Sequence, residues 1–324
     1  MSHSILVTGG AGYIGSHAAL ALMERGEKVV VLDDLSDSEE SRVPRGAIFV
    51  LGSVGDVDLV AKTAREHGVN AVMHFAGSVR VDESVREPEK YFKNNTENTR
   101  ILAEAASRVG VEHFIYSSSA AVYGNPVRIP ASEDDETVPI NPYGESKLRS
   151  EKILLAMHEL KCGVLRYFNV AGVDAHGRVG YRREVHPTHM IRSCVRALLD
   201  DKPFVINGND YPTADGTCVR DYIHVSDLAN AHVKVLDSLR NGAATRIYNC
   251  GVGHGFSNLE VVTTFGRVAD KELQCSFGPR REGDPAELVA DSSRIQKELG
   301  WKAERGLEDM IRDELHWVRS QAKS

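Results

Sequence analysis

The stretch from Leu6 to His17, LVTGGAGYIGSH, constrains this chain more than any other. Ile5, Leu6 and Val7 form a short apolar run of the kind buried in parallel sheets. Gly9, Gly12 and Gly15 follow at three-residue spacing, and Ile14, Ala18, Leu22 and Met23 then recur at helical spacing. A strand that turns through glycines into a helix makes a phosphate cradle. Bare glycine lets the backbone approach a pyrophosphate, and the helix N-terminus offers free N–H groups and the positive end of its dipole. The glycines alone say little; a strand before them and a helix after them give the motif its force.

A second strand, Lys28 to Leu32, closes on Asp33 and Asp34. Asp33 lies about 20 residues past the glycines, where a carboxylate binds both hydroxyls of an adenosine ribose. Two carboxylates there repel a 2′-phosphate, so the expected cofactor is NAD rather than NADP.

Strand and helix signals alternate onward. Ala47–Leu51 reads as a third strand, Val57–His67 as a helix, Ala71–Phe75 as a fourth strand, Glu89–Arg108 as one long helix and His113–Ser117 as a fifth strand. Alternation of this kind implies an α/β fold, a Rossmann-type doubly wound parallel sheet. Ligands then bind past the carboxyl ends of the strands. That directs attention to Ser53 and Val54, to Phe75, Ala76 and Gly77, and to Ser117 through Ser119. Asn94, in the long helix, either reaches a cofactor phosphate or is a surface amide. Residues 123–142 hold four prolines and the acidic run Glu133–Glu136, a surface excursion whose charges are expected to be solvated.

Tyr143-Gly-Glu-Ser-Lys147 then enters a helix behind Pro142, a residue favoured at the first helical position. Tyr143 and Lys147 are four residues apart and so share a face. A phenol of pKa about 10 is a poor base at neutral pH. A neighbouring ammonium and a cationic nicotinamide favour the phenolate and lower that value. Tyr143 then takes a proton from a hydroxyl as hydride leaves the adjacent carbon. Ser119, at a strand end 24 residues upstream, hydrogen-bonds the same hydroxyl.

The net charge of −7, with no basic run, argues against a nucleic-acid partner. Five scattered cysteines without a CxxC pair fit a reducing compartment with neither disulfide nor zinc. No apolar run approaches membrane-spanning length and no signal segment opens the chain. A cytoplasmic protein without membrane association is expected.

The strings VTGGAGYIGSH, HFAG (74–77), SSSAAVYG (117–124), YGESK (143–147) and RYFN (166–169) resemble the extended short-chain dehydrogenase/reductases. GNDYPTADGTCVRDYIHVSDLA (208–229) and RREGD (280–284) are similar to the branch of that family that interconverts UDP-glucose and UDP-galactose at C4. The resemblance implies an NAD-binding domain over residues 1–170, to which some later segments return. A smaller C-terminal α/β domain over 171–324 is implied for a UDP-sugar. It places Gly9, Gly12, Tyr13, Ile14, Gly15, Asp33, Asp34, Ser53, Val54 and Phe168 around the cofactor. Phe75, Ala76, Gly77, Asn94, Ser117, Tyr143 and Lys147 join them.

Ser119, Tyr143 and Lys147 are the implied catalytic residues. Ser119, Tyr143, Asn169, His189, Met190, Arg220, Arg281 and Asp284 are the implied substrate residues. The two arginines resemble a pyrophosphate clamp, a role suited to bidentate guanidinium bonds. Asp284 matches a carboxylate for the uridine ribose. No metal is implied. Four positions depart from the family pattern. Ser53 replaces an aspartate for the adenine amino group, and Val79 stands where some members have lysine, beside Arg80. Ala121 replaces a threonine, and Leu288 walls the sugar pocket at a position usually aromatic or small.

The implied reaction oxidises the sugar C4 hydroxyl, turns the 4-keto sugar over and returns the hydride to its other face. The family also implies a homodimer through helices near 89–108 and 143–158. Other readings stay open: a 4-epimerase of another UDP-sugar, a dehydratase or decarboxylase of the same fold, and a non-catalytic NAD(H) sensor. Ala120 and Ala121 argue against water elimination, which uses an acid–base pair at that place. The complete Ser119, Tyr143 and Lys147 set argues against a sensor.

Overall fold

The computed structural model describes residues 3–181, 189–281 and 284–321. In chain order the first half runs β1 (Ser4–Thr8), α1 (Tyr13–Glu24), β2 (Lys28–Asp33), β3 (Ile48–Leu51), α2 (Val57–His67) and β4 (Val69–His74). It continues through α3 (Val81–Arg86), α4 (Pro88–Tyr91), a π-helical turn (Phe92–Glu97), α5 (Asn98–Arg108), β5 (His113–Ser119) and α6 (Pro142–Ala156). The second half runs β6 (Lys161–Tyr167), β7 (Asn169–Ala171), α7 (Met190–Asp200), β8 (Phe204–Asn207), β9 (Val219–His224), α8 (Val225–Arg240) and β10 (Arg246–Cys250). It ends with β11 (Gly255–Ser257), α9 (Asn258–Ala269), β12 (Cys275–Gly278), β13 (Glu287–Leu288), α10 (Ser293–Leu299) and α11 (Leu307–Gln321).

Seven strands form one parallel sheet in the order β3-β2-β1-β4-β5-β6-β10. All five residues of β1 are buried, so both faces of the sheet are covered. The period-2 alternation of a strand divides them. Ile5, Val7, Val29 and Val31 pack with Leu22 of α1 and Leu228 and Leu236 of α8. Leu6, Val30 and Leu32 pack on the other face with Val60 of α2, Leu102 of α5 and Leu154 of α6. The doubly wound sheet expected from the alternating pattern is therefore present. Residues 225–250 return to it through α8 and β10.

A second core gathers Ile191 and Cys194 of α7, Phe265 of α9, and Met310 and Ile311 of α11. Beside it β9 pairs with β7, β11 and β13, while β8 pairs with β12. Only Phe168 separates β6 of the large sheet from β7. No helix among the described residues is long and apolar enough to cross a membrane.

Local chemistry explains most boundaries. The Asp56 carboxylate accepts the Leu59 N–H at 3.0 Å to start α2, and Gly68 at φ 62° ends it. Asn141 caps α6 by accepting the Gly144 N–H at 2.9 Å, with Pro142 in the first turn.

Two expectations need correction. The span Glu89–Arg108 is not one regular helix: the π turn at Phe92–Glu97 inserts extra chain and rotates α5 relative to α4. The acidic run of the 123–142 excursion is not wholly solvated either. Glu133 is buried, and its Oε1 accepts the Asn249 N–H at 2.8 Å while Arg294 lies 3.7 Å from Oε2. The excursion is drawn inward because Ala131 exchanges backbone bonds of 2.8 Å with Val289 and Asp291.

Candidate active site

Strand order reverses between β1 and β4, which opens a crevice at their carboxyl ends. The glycine-rich turn fills the start of it. A Cβ on Gly9 would lie 2.6 Å from the Ala76 nitrogen, and one on Gly15 would lie 2.8 Å from the Gly9 carbonyl carbon. Neither position has room for a side chain, so turn, β4 end and α1 approach as bare backbone. Asp33 is buried, and its Oδ2 accepts the Ala11 N–H at 3.0 Å. Its Oδ1 accepts the Leu35 N–H at 2.9 Å and the Ser38 hydroxyl at 2.7 Å. A carboxylate has about four acceptor sites, so capacity remains for a ribose hydroxyl. Asp34 is exposed and holds Ser36.

Ser53 and Val54 follow β3. Val54 is buried, and the Ser53 hydroxyl accepts the Gly55 N–H at 3.2 Å. Phe75 lies against His232, its ring tilted 46° to the imidazole with 4.8 Å between centroids. Val79 is exposed, and Arg80 is turned outward to Asp82 at 3.2 Å. Asn94 donates to the Ser78 hydroxyl at 3.1 Å. Its neighbour Asn95, not singled out from the sequence, is the buried one. The Asn95 amide accepts the Ser78 N–H at 2.8 Å and donates to Ser146 at 3.0 Å. Its Oδ1 would lie 2.7 Å from a Cβ on Gly77. The doubled asparagine was visible in the sequence, but the π turn decides which of the two faces inward.

Strand β5 runs two residues beyond the expected end, through Ser119. Ser119 ends β5 beside the Tyr143 phenol and favours its ionised form, while its own hydroxyl accepts the Ala121 N–H at 3.2 Å; the Lys147 ammonium donates to the Ser117 carbonyl at 2.9 Å. Ser117 also exchanges a hydrogen bond with the Tyr167 hydroxyl. Burial holds the Tyr143 phenol above its usual value, against the pull of Ser119. Burial also pushes Lys147 down to about 8, with Glu151 opposing it. The expected depression of Tyr143 needs a cationic nicotinamide as well as Lys147; the protein groups alone leave the phenol raised by burial. The amine is seated on the strand carbonyl of Ser117.

Beneath this level Arg166 and Glu151 form a buried ion pair at 2.6 Å, with Ser118 also donating to Glu151. The Arg166 guanidinium donates to the Tyr123 hydroxyl at 3.1 Å, which donates to Asn249 at 2.7 Å. This network locks β5, β6 and α6 together under the reactive residues.

The expected substrate residues are spread over the second unit. Asn169 lies on β7 in register with Tyr222 of β9. Arg220 of β9 is nearly buried, and its Nη2 lies 3.4 Å from Asp284 Oδ1. Arg281 and Asp284 are exposed, whereas Arg280 turns away onto Tyr211, 4.2 Å from its ring centroid, and onto Asp210 at 2.6 Å. His189, exposed, precedes α7 at the N-cap position without a side-chain cap bond, and Met190 begins the helix half-buried. Phe168 is buried with Ala120, Tyr123 and Leu148, and Leu288 packs against that group. Among the described residues no group of three or more His, Cys, Asp or Glu is placed to hold a metal ion.

The model of the NAD dependent epimerase/dehydratase family matches residues 5–251. The UDP-glucose 4-epimerase of Azospirillum brasilense is 48% identical, over 100% of this chain and 94% of that protein. Its counterpart in Bacillus subtilis (strain 168) is 42% identical, over 98% of this chain and 97% of that protein. A crystal structure of UDP-glucose-4-epimerase from Stenotrophomonas maltophila, with bound NAD and formylated UDP-arabinopyranose, superposes with a TM-score of 0.95. It is 38% identical and covers 99% of each chain.

Proposed function

The chain belongs to the NAD-dependent epimerase/dehydratase family, and on that footing we infer that it inverts C4 of a UDP-hexose, interconverting UDP-glucose and UDP-galactose with NAD as a retained cofactor. The observation that carries this reading is the meeting of Ser119, Tyr143 and Lys147 at the end of β5, one strand from the crevice behind the glycine-rich turn.

The residues present suit NAD. The bare-backbone approach at Gly9 and Gly15 suits a pyrophosphate over the N-terminus of α1, and Asp33 suits a ribose diol. When bound, NAD takes up and returns the hydride of the sugar C4, and its cationic ring favours the phenolate. Tyr143 takes the proton of the 4-hydroxyl and later gives it back, so no net oxidation occurs. Ser119, beside Tyr143 at the end of β5, hydrogen-bonds and orients that same hydroxyl. Lys147, seated on the Ser117 carbonyl, supplies positive charge that favours the phenolate. Arg220 and Arg281 hold the diphosphate, Asp284 the uridine ribose, and Asn169, His189 and Met190 border the nucleotide. A firm grip on UDP with a loose pocket for the sugar lets the 4-keto sugar present either face.

The regular helices on either side of the π turn and α6 are read as the faces of a homodimer. The five cysteines are free, which supports residence in a reducing cytoplasm.

The test is a coupled assay on the purified holoenzyme with UDP-galactose, UDP-N-acetylgalactosamine and UDP-arabinose. UDP-glucose should form from UDP-galactose, and an NADH absorbance band should build on adding the hexose. Absence of both defeats the reading. Turnover of the N-acetyl sugar reports whether the wall at Leu288 admits that group.

A further inference from the structure

The glycine-rich turn is braced from outside the dinucleotide fold. Tyr13, the first residue of α1, donates its hydroxyl to the Gly172 carbonyl at 2.5 Å, just past β7. The Arg192 guanidinium of α7 lies 4.0 Å from the Tyr13 ring centroid and 3.7 Å from that of Tyr181. The two rings meet nearly edge-on, at 88° and 6.0 Å, so one cation touches both. Arg192 is in turn held by Glu314 of α11, Nε to Oε1 3.6 Å, with both side chains almost wholly buried. Trp317, one turn further along α11, lies 6.4 Å from Tyr181. His17 anchors the same helix to the segment after β7: Nδ1 donates to the Tyr13 carbonyl at 2.7 Å and Nε2 accepts the Asp174 N–H at 3.0 Å.

A buried ion pair is a poor source of stability, since apolar residues of similar volume often do as well. Burial pushes Glu314 up to about 7 even with Arg192 beside it. What apolar residues cannot replace is a flat cation stacked on two aromatic faces.

We propose that Arg192 is a positioning residue for the cofactor: seated on Glu314, it clamps Tyr13, and with it the glycine-rich turn, so that the C-terminal helix sets how long the dinucleotide stays bound. This rests on the reading that the turn holds NAD. It matters to that chemistry because the hydride removed in the first half must return from the same cofactor.

The test uses the holoenzyme with Arg192→Met and Glu314→Leu combined, which leaves no lone buried charge. NAD per chain after desalting should fall, and the NADH dissociation rate should rise roughly tenfold, the equivalent of one or two lost cation–π contacts. With saturating added NAD, kcat and the KM for UDP-galactose should return to wild-type values. A purely structural role would lower Tm and kcat together, beyond rescue by added NAD. A folded double variant that releases NADH at the wild-type rate overturns the proposal. Should that variant not fold, Arg192→Lys carries the test, because it keeps the charge and loses the planar face. It should release NADH faster than wild type, and an unchanged rate overturns the proposal. A wild-type chain that never retains NAD overturns both the proposal and the reading beneath it.

Discussion

The Lys147 ammonium sits 2.9 Å from the Ser117 carbonyl oxygen, so the side chain that tunes the proposed base also ties α6 to the end of β5. Positioning and electrostatics are thereby joined in one residue, and its removal acts on both.

Lys147→Ala should lower kcat about 10²- to 10⁴-fold, the usual worth of an assisted proton transfer. NAD content and UDP affinity should change far less. Near-normal turnover at neutral pH in this variant would show that Tyr143 needs no help from the amine.

Lys147 also shapes the pH dependence of stability. Its folded-state pKa is about 8 against an ordinary 10.5, so between those values the unfolded chain holds more protons. Stability contributed by this group therefore rises with pH across that window. Lys147→Met removes the term. The stability gap between variant and wild type, measured by urea unfolding, should shift by roughly 2 kcal/mol in favour of wild type from pH 7 to pH 9.5.

Gly15→Ala should abolish NAD retention, because its Cβ would lie 2.8 Å from the Gly9 carbonyl carbon. Gly306→Ala is the control, since a Cβ there meets nothing within 4 Å. NAD released on denaturation and measured against protein concentration separates the two.

Glu151→Ala leaves the Arg166 guanidinium buried without its carboxylate. The expected loss is about 3–5 kcal/mol of unfolding free energy. Combining it with Arg166→Met should cost less than the single change, because the stranded charge goes too. Urea unfolding of wild type, single and double variants decides this.

Arg220→Ala should raise the KM for UDP-galactose roughly 10- to 100-fold, the range of a lost hydrogen bond to a charged group. The effect on kcat at saturating substrate should be smaller. Equal losses in both would place Arg220 in the chemical step rather than in nucleotide binding.

Short-range chemistry was readable from the residues. The β1 run, the glycines, Asp33 and the helix Val57–His67 all rest on local patterns, and the structure reproduces them. Harder cases depended on distant partners. Glu133 looked solvated among other acids, yet Asn249 and Arg294 draw it inward. Asn95 is buried and Asn94 half-buried because a π turn shifts the helical register, and no residue pattern in 92–97 announces that turn.

Residue spacing alone was enough to read a glycine-rich strand-to-helix turn near the start of the chain and a tyrosine and a lysine on one helical face. Both follow from spacing along a single element. Folding alone brings the lysine onto the Ser117 carbonyl and stacks Arg192, itself paired with Glu314, on the Tyr13 ring. Those contacts join residues far apart in the chain. Burial then sets their charges, through the water each group loses on folding.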